Sequence, residues 1–288
     1  MQYGSAELRI KETKDKTKRA GMDISFLALV VILLAIGVTM VLSASFARAY
    51  FDPGGVTKGK ATYYFIRQFI FAALGVAAMI ICSRLPVGFY KRFSMPVLIA
   101  AVILLMLVPI IGTNANGAKR WIGLGAFTIQ PSEIAKIGII LAFASMICAR
   151  RGRMKSFRYG ILPFAAILAA IVGLLVLEPH FSASIIIVAI GGVMLFLGGA
   201  RLVWFIAAAV AAGGGIAVLL TMFPYASTRI TTWRDPFAST SDEGYQIVQS
   251  LYSIGSGGLT GLGLGQSRQK YLYLPEEHND FIFSVVCE

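Results

Sequence analysis

Residues 160–222 read GILPFAAILAAIVGLLVLEPHFSASIIIVAIGGVMLFLGGARLVWFIAAAVAAGGGIAVLLTM, and this stretch decides the fold. It holds three apolar runs, 160–177, 181–198 and 202–222, separated only by Glu178-Pro179-His180 and Gly199-Ala200-Arg201. A hydrocarbon layer of roughly 30 Å needs about 20 apolar residues at ~1.5 Å per residue. Backbone polar groups in lipid need internal partners, so each run reads as a membrane-crossing helix. Further apolar runs occupy 23–43, 63–82, 93–111 and 132–148, and an eighth begins at Phe281. The expectation is an all-α, polytopic transmembrane helical bundle with about seven full spans. The short alternating segments of a transmembrane barrel are absent.

Composition agrees. The mean hydropathy is +0.75, and 57% of the 288 residues are hydrophobic against 14% charged, which excludes an ordinary soluble domain. The formal charge of +12 is not a nucleic-acid footprint, because of where it lies. With the N-terminus in the cytoplasm, that face carries 15 basic residues and four acids, and the opposite face 11 and nine. This is the positive-inside pattern. Cys82, Cys148 and Cys287 have no metal or disulfide spacing.

The expected organisation is a basic cytoplasmic tail (1–20), a bundle (21–222), a large extracytoplasmic loop (223–280) and the start of a truncated eighth span (281–288). A 58-residue loop is too long for a mere connector. Within it, Ile247, Leu251 and Ile254 have helical spacing, so 245–254 reads as an amphipathic helix. The following GSGGLTGLGLG (255–265) is not a nucleotide fingerprint, having neither a preceding strand nor GK[ST]. It reads as a flexible segment or one threading close to helices.

The chemistry-bearing residues gather on the outer face. Asp280, at the end of Pro275-Glu276-Glu277-His278-Asn279-Asp280, reads either as a helix N-cap or as a carboxylate that accepts a proton from a sugar hydroxyl. Glu276, Glu277 and His278 are placed to orient it or to bind a metal. Lys136 lies inside a span, where an ammonium needs a partner. Glu133 at i−3 offers a local pair; Asp280 or a substrate phosphate is the alternative. Lys119 and Arg120 suit a diphosphate, and Trp121 is an interfacial anchor or a stacking surface for a sugar. Glu178 and His180 flank a tight turn, either an interfacial turn or a polar constriction. Glycines at 191–192, 198–199 and 213–215 suit close helix packing.

Three segments together resemble the bacterial SEDS family (FtsW/RodA/SpoVE): NGAKRWIGLGAFTIQPSEIAK at 116–136, TTWRDPF at 231–237 and GYQIVQSLYSIGSGGLTGLGLGQSRQKYLYLPEEHNDFIFSVVCE at 244–288. GLGLGQS and EPHFS look closest to the FtsW/SpoVE branch. The resemblance covers 20–288 and implies ten helices, so the chain reads as incomplete at its C-terminus. It implies a peptidoglycan glycosyltransferase of the bacterial cytoplasmic membrane that polymerises lipid II at the outer face and releases undecaprenyl diphosphate. It also implies partnership with a class B penicillin-binding protein and other division or sporulation proteins, and no nucleic acid. The family's essential acid falls on Asp280, its intramembrane lysine on Lys136 and its Arg-Trp on Arg120 and Trp121. Substrate or diphosphate binding is expected of Lys136, Arg120, Lys119, Trp121, Glu276, His278 and Glu178. No cofactor is required by the sequence, and a divalent cation such as Mg2+ or Mn2+ is compatible with diphosphate chemistry. Two positions depart from the family: Asn279 replaces a usual threonine, and Glu178-Pro179-His180 replaces a usual Pro-Asp. A lipid II flippase and a noncatalytic scaffold are the competing readings.

Overall fold

The structure is a computed structural model that describes residues 23–52, 54–115, 118–124, 127–178, 180–222, 224–238 and 243–288. The expected tail at 1–20 lies outside the described residues. The chain divides into two compact units, Leu85–Met222 on one hand and Met1–Arg84 with Phe223–Glu288 on the other.

Among the described residues, five helical stretches are long and apolar enough to cross a membrane: Ile24–Tyr50 (α1), Tyr63–Arg84 (α2), Val87–Ile111 (α3), Pro131–Ala149 (α4) and Phe157–Leu177. The last is a π-helical turn, Phe157–Ile161, running into α5, Leu162–Leu177. Two further apolar helices, α6 (Phe181–Leu197) and α7 (Leu202–Met222), follow. The protein is therefore a multi-pass membrane helical bundle. Its outward side chains fit that solvent: α2 buries none of its residues, and Ile66, Phe69, Leu74 and Ile81 all lie exposed, as lipid-facing positions would.

In the Leu85–Met222 unit, α4 packs along α3 and α6, and α6 along α5. The core is Leu98, Ala101 and Leu105 of α3, Ala135, Ile139 and Phe143 of α4, Phe164, Ile171 and Leu175 of α5, and Ile187 of α6. Phe143 meets Phe164 edge-on, with ring centroids 4.9 Å apart, a geometry the ring quadrupoles favour. A Cβ on Gly138 would stand 3.1 Å from the Leu98 Cα, so glycine sets the α3–α4 approach. Of the glycines expected at packing positions, Gly191 lies against Leu168 and Gly198 against Ile147, whereas 192 and 213–215 have open space around them.

The fold adds one feature to an all-α reading. Thr113–Ala115 (β1), Ala118–Leu124 (β2) and Phe127–Ile129 (β3) form an antiparallel sheet ordered β1-β2-β3. Ala115 faces Ala118 and Leu124 faces Phe127, with two residues between the members of each pair, as in two-residue hairpins.

In the other unit α1 packs on α2. Pro224–Arg234 (α8) leads through a 3-10 turn, Pro236–Ala238, to Glu243–Gly257 (α9), a helix where the sequence spacing placed one. Ile282–Cys287 (α10) packs on α9 and α1, with Ala44, Leu274 and Val285 buried around Met40, Phe281 and Ile282. The glycine-rich run threads close to a helix: Gly257 abuts the Cys287 carbonyl, and Gly261, Gly263 and Gly265 all have positive φ, the region glycine enters without steric cost.

Candidate functional site

The expected site residues fall into two clusters, one in each unit. In the Leu85–Met222 unit, β2, the start of α4 and the α5–α6 turn converge. The β1–β2 register passes from Thr113↔Trp121 to Asn114↔Lys119, so Arg120 is the extra residue of a β-bulge. A bulge re-aims its side chain, and the Arg120 charge acts on both Glu178 and His180. Pro131 opens α4 with Glu133 in its first turn, which suits the helix dipole. One turn on, Lys136 Nζ lies 2.7 Å from Glu133 Oε2, the local pair among the partners the sequence offered. Glu178 caps α5 and is 3% exposed. Burial pushes its carboxyl up to about 7, with Arg120 pulling in the other direction. Its Oε1 finds no hydrogen-bond donor among the described residues.

His180 lies 3.5 Å, Nε2 to Nε2, from Gln130. The amide can only donate there, which puts the neutral ring's proton on Nδ1; that atom is buried with no partner among the described residues. Burial and then Arg120 lower the His180 pKa, Glu133 raises it in part and Lys136 adds the smallest lowering, so the ring is neutral at pH 7. Gln130 was not singled out from sequence. Lys119 is exposed. Trp121 is half-buried, and its carbonyl accepts from the Thr113 hydroxyl at 3.2 Å.

The second cluster holds the acidic turn. Arg48, in the last turn of α1, lies 3.6 Å from Glu276, 3.5 Å from Glu277 and 3.4 Å, Nη1 to Nδ1, from His278. The Tyr64 ring packs on His278 with centroids 4.6 Å apart and the planes tilted by 49°, and the Asn279 amide donates to Glu276 at 2.9 Å. Glu276 itself has φ +53, a strained setting for a side-chain-bearing residue that this knot of contacts holds in place. Glu277 is 1% exposed; burial raises its pKa, and its backbone hydrogen bond and Arg48 lower it. Burial and then Arg48 keep His278 neutral.

Asp280 differs from its neighbours. It is exposed and has no hydrogen bond or ion pair among the described residues. The N-cap of α10 is Phe281 and no side chain caps it, so Asp280 does not play the capping role open to it from sequence. Among the described residues no three His, Cys, Asp or Glu side chains gather as metal ligands.

The helices define the class: a multi-pass membrane helical bundle. Residues 24–288 match the FtsW/RodA/SpoVE family, described as cell cycle proteins, and the chain belongs to that family. It is 40% identical over 273 residues to a "Probable peptidoglycan glycosyltransferase FtsW" of Saccharophagus degradans, covering 93% of this chain and 68% of that protein. It is 36% identical to the stage V sporulation protein E of Bacillus subtilis, covering 94% and 74%. A chain solved in a peptidoglycan synthase complex that coordinates polymerization and crosslinking superposes with a TM-score of 0.61 at 26% identity, over 88% of this chain and 70% of that one. The rod-shape-determining protein RodA of Thermus thermophilus superposes with a TM-score of 0.53 at 27% identity, over 66% and 60%.

Proposed function

We infer that this chain carries the peptidoglycan glycosyltransferase activity of its family in cell-wall synthesis. The substrate is lipid II and the product a β-1,4 glycan strand. The acceptor's 4-hydroxyl attacks the anomeric carbon of the donor, the bond from that carbon to undecaprenyl diphosphate breaks, and configuration inverts. Asp280 takes the hydroxyl proton. The observation that carries this reading is the sorting of the acids around the Pro275–Asp280 turn: Arg48 holds Glu276 and Glu277, and Asp280 alone of the three is left exposed. A diphosphate leaves without needing a proton, so charge stabilisation matters more than a general acid. Arg120 and Lys136, with exposed Lys119 nearby in sequence, supply it; Trp121 faces the sugar. Glu178, its carboxyl raised to about 7 by burial, and the neutral His180 ring line this diphosphate site; in its protonated form the carboxyl, like the ring N–H, donates to phosphate oxygens. Glu276 and His278 act through the Arg48 knot that shapes the turn.

The accompanying architecture is seven spans with an eighth starting at Phe281, the N-terminus in the cytoplasm and the reacting groups on the outer face of the bacterial cytoplasmic membrane. The 223–280 segment is the extracytoplasmic module, and the partner is a class B penicillin-binding protein that cross-links the nascent strand. Labelled lipid II given to the complete protein with its transpeptidase tests this. Long glycan from wild type and at least a hundredfold less from Asp280→Asn, at equal folding and complex formation, is the expected result. No polymer from an intact wild-type complex sinks the assignment and favours flipping or scaffolding; equal polymer from both removes Asp280 as the base.

A further inference from the structure

Glu288 is the most heavily hydrogen-bonded side chain described, and the reaction above does not use it. It is 4% exposed. Five donors surround its carboxylate: Ser267 Oγ at 2.6 Å, Ser253 Oγ and the Arg268 amide at 3.1 Å, the Gln269 amide at 3.2 Å and Ser256 Oγ at 3.3 Å. These donors are neutral and come from two separate segments. Ser253 and Ser256 lie on α9, where Ser250 completes an i, i+3, i+6 stripe; Ser250 meets the Ser284 hydroxyl of α10 at 2.6 Å, and Ser253 also donates to the Ser284 carbonyl at 3.0 Å. The other three donors stand at 267–269, where the chain enters the turn that ends in Asp280.

One carboxylate thus joins the strand of chain entering the turn (267–269) to the helix leaving it (α10). The base of the loop that carries Asp280 is closed by Glu288, and its acidic tip is tethered by Arg48. Between these points, Lys270 Nζ donates to the Gly265 carbonyl at 2.5 Å and the Leu274 amide to the Gln269 carbonyl at 3.1 Å. A buried carboxylate satisfied by five donors specifies one arrangement of its donors, because any shift leaves charge and amides unpaired in an apolar surround.

We propose that Glu288 is a positioning residue for the transferase reaction: it clasps residues 267–269 and α9 onto α10 and so fixes the bearing of the Asp280 carboxylate. This rests on Asp280 being the base. A loosened clasp leaves substrate binding at the cationic cluster intact but makes the productive alignment of base and hydroxyl rarer, so it acts on turnover more than on KM. Glu288→Gln keeps the size and one acceptor but turns an NH2 group toward donors. Ser267→Ala removes the shortest bond, together with the weaker one that the Ser267 hydroxyl accepts from the Lys270 amide at 3.4 Å.

The test uses the complete protein with its transpeptidase and two readouts, amide hydrogen exchange over 267–274 and lipid II polymerisation kinetics. Glu288→Gln is expected to speed exchange there by about tenfold or more and to lower kcat by about tenfold with KM within about threefold. Ser267→Ala should fall between it and wild type in both. Asp280→Asn should abolish polymer and leave exchange as in wild type. Unchanged exchange in Glu288→Gln overturns the clasp. Faster exchange with unchanged kcat, or a loss confined to KM, overturns the positioning role. Full polymer from Asp280→Asn, or none from wild type, sinks the underlying reading and with it that role, while the exchange arm separately shows whether Glu288 holds the loop.

Discussion

Replacing Arg48 by Met tests the knot on which the acidic turn depends. The guanidinium is 32% exposed and faces Glu277, 1% exposed, at 3.5 Å and Glu276, 42% exposed, at 3.6 Å. Removing one partner of a fully buried pair costs about 3–5 kcal/mol, whereas an exposed pair is worth about 0–1 kcal/mol. With one partner buried, one half-exposed and both contacts long, about 2 kcal/mol is expected, a fall in Tm of roughly 4–8 °C for a domain of this size. The loss has a pH signature. Burial already raises the Glu277 carboxyl, and Arg48 is among the groups that lower it. Without Arg48 the carboxyl rises further. A raised carboxyl is protonated, and costs nothing, at acid pH; its penalty grows as pH rises through the raised value. Arg48→Met should therefore be near wild type at pH 5 and most damaged at pH 8. Adding Glu277→Gln removes the stranded charge and should recover about 1–2 kcal/mol of the deficit. Thermal unfolding of all four variants in one detergent measures the cycle. A single variant as stable as wild type at pH 8, or a double variant no better than the single, refutes the reasoning.

Three more outcomes follow, beside those already given for Asp280 and Glu288. Glu178→Gln should raise stability at pH 8 by up to about 3 kcal/mol and change little at pH 5, since a carboxyl raised to about 7 is neutral and harmless below its ordinary range and becomes a buried charge as pH climbs through 7; a pH-independent effect refutes this. Lys136→Gln should leave the unfolding free energy within roughly 0.5 kcal/mol of wild type, because its partner Glu133 is 59% exposed, yet cut polymerisation by tenfold or more; intact activity would reduce Lys136 to a local ion pair. Gly138→Leu should destabilise the α3–α4 pair by about 1–3 kcal/mol, since its Cβ would press on the Leu98 backbone, with Gly138→Ala milder in the same thermal assay.

The helices were legible wherever apolar length alone defines them, and boundaries were not. The apolar run of the first span ends near 43, but Ala44, Ala47 and Ala49 continue the helix to Tyr50, as residues of high helix propensity can. That extension carries Arg48 up to the acidic turn, 230 residues away in sequence, and no local spacing announces such a contact. The same blindness hid Gln130 beside His180 and the serines around Glu288. Ser250, Ser253 and Ser256 do form a visible i, i+3, i+6 stripe opposite the apolar positions of α9, and that was the one signal available. The small sheet was hidden differently: two hairpins of three to seven residues contain too little alternation to outweigh their glycines, and the bulge at Arg120 breaks what alternation there is. Arg120 was singled out as a loop cation suited to a diphosphate, Lys136 as an ammonium inside a span and Glu178 as an acid at a tight turn, and the structure brings them around that turn.

The fates of the carboxylates give the strongest reason for looking to Asp280. Asp23 caps the first helix through the Phe26 amide, Asp52 accepts from Thr57, and Asp235 accepts from the Ala238 amide. Glu133 is taken by Lys136 and Glu276 and Glu277 by Arg48, while Glu288 is satisfied by five neutral donors. Glu178 is buried and pushed toward its neutral form. A general base must be ionised, accessible and free to exchange its partner for the substrate's hydroxyl. Each of these acids fails one of those conditions, through a cation, a cap, neutral hydrogen-bond donors or a proton. Asp280, exposed and unpaired among the described residues, is accessible and held by no such partner, and the groups that deprive its neighbours of a catalytic role are the same ones that build the turn on which it stands.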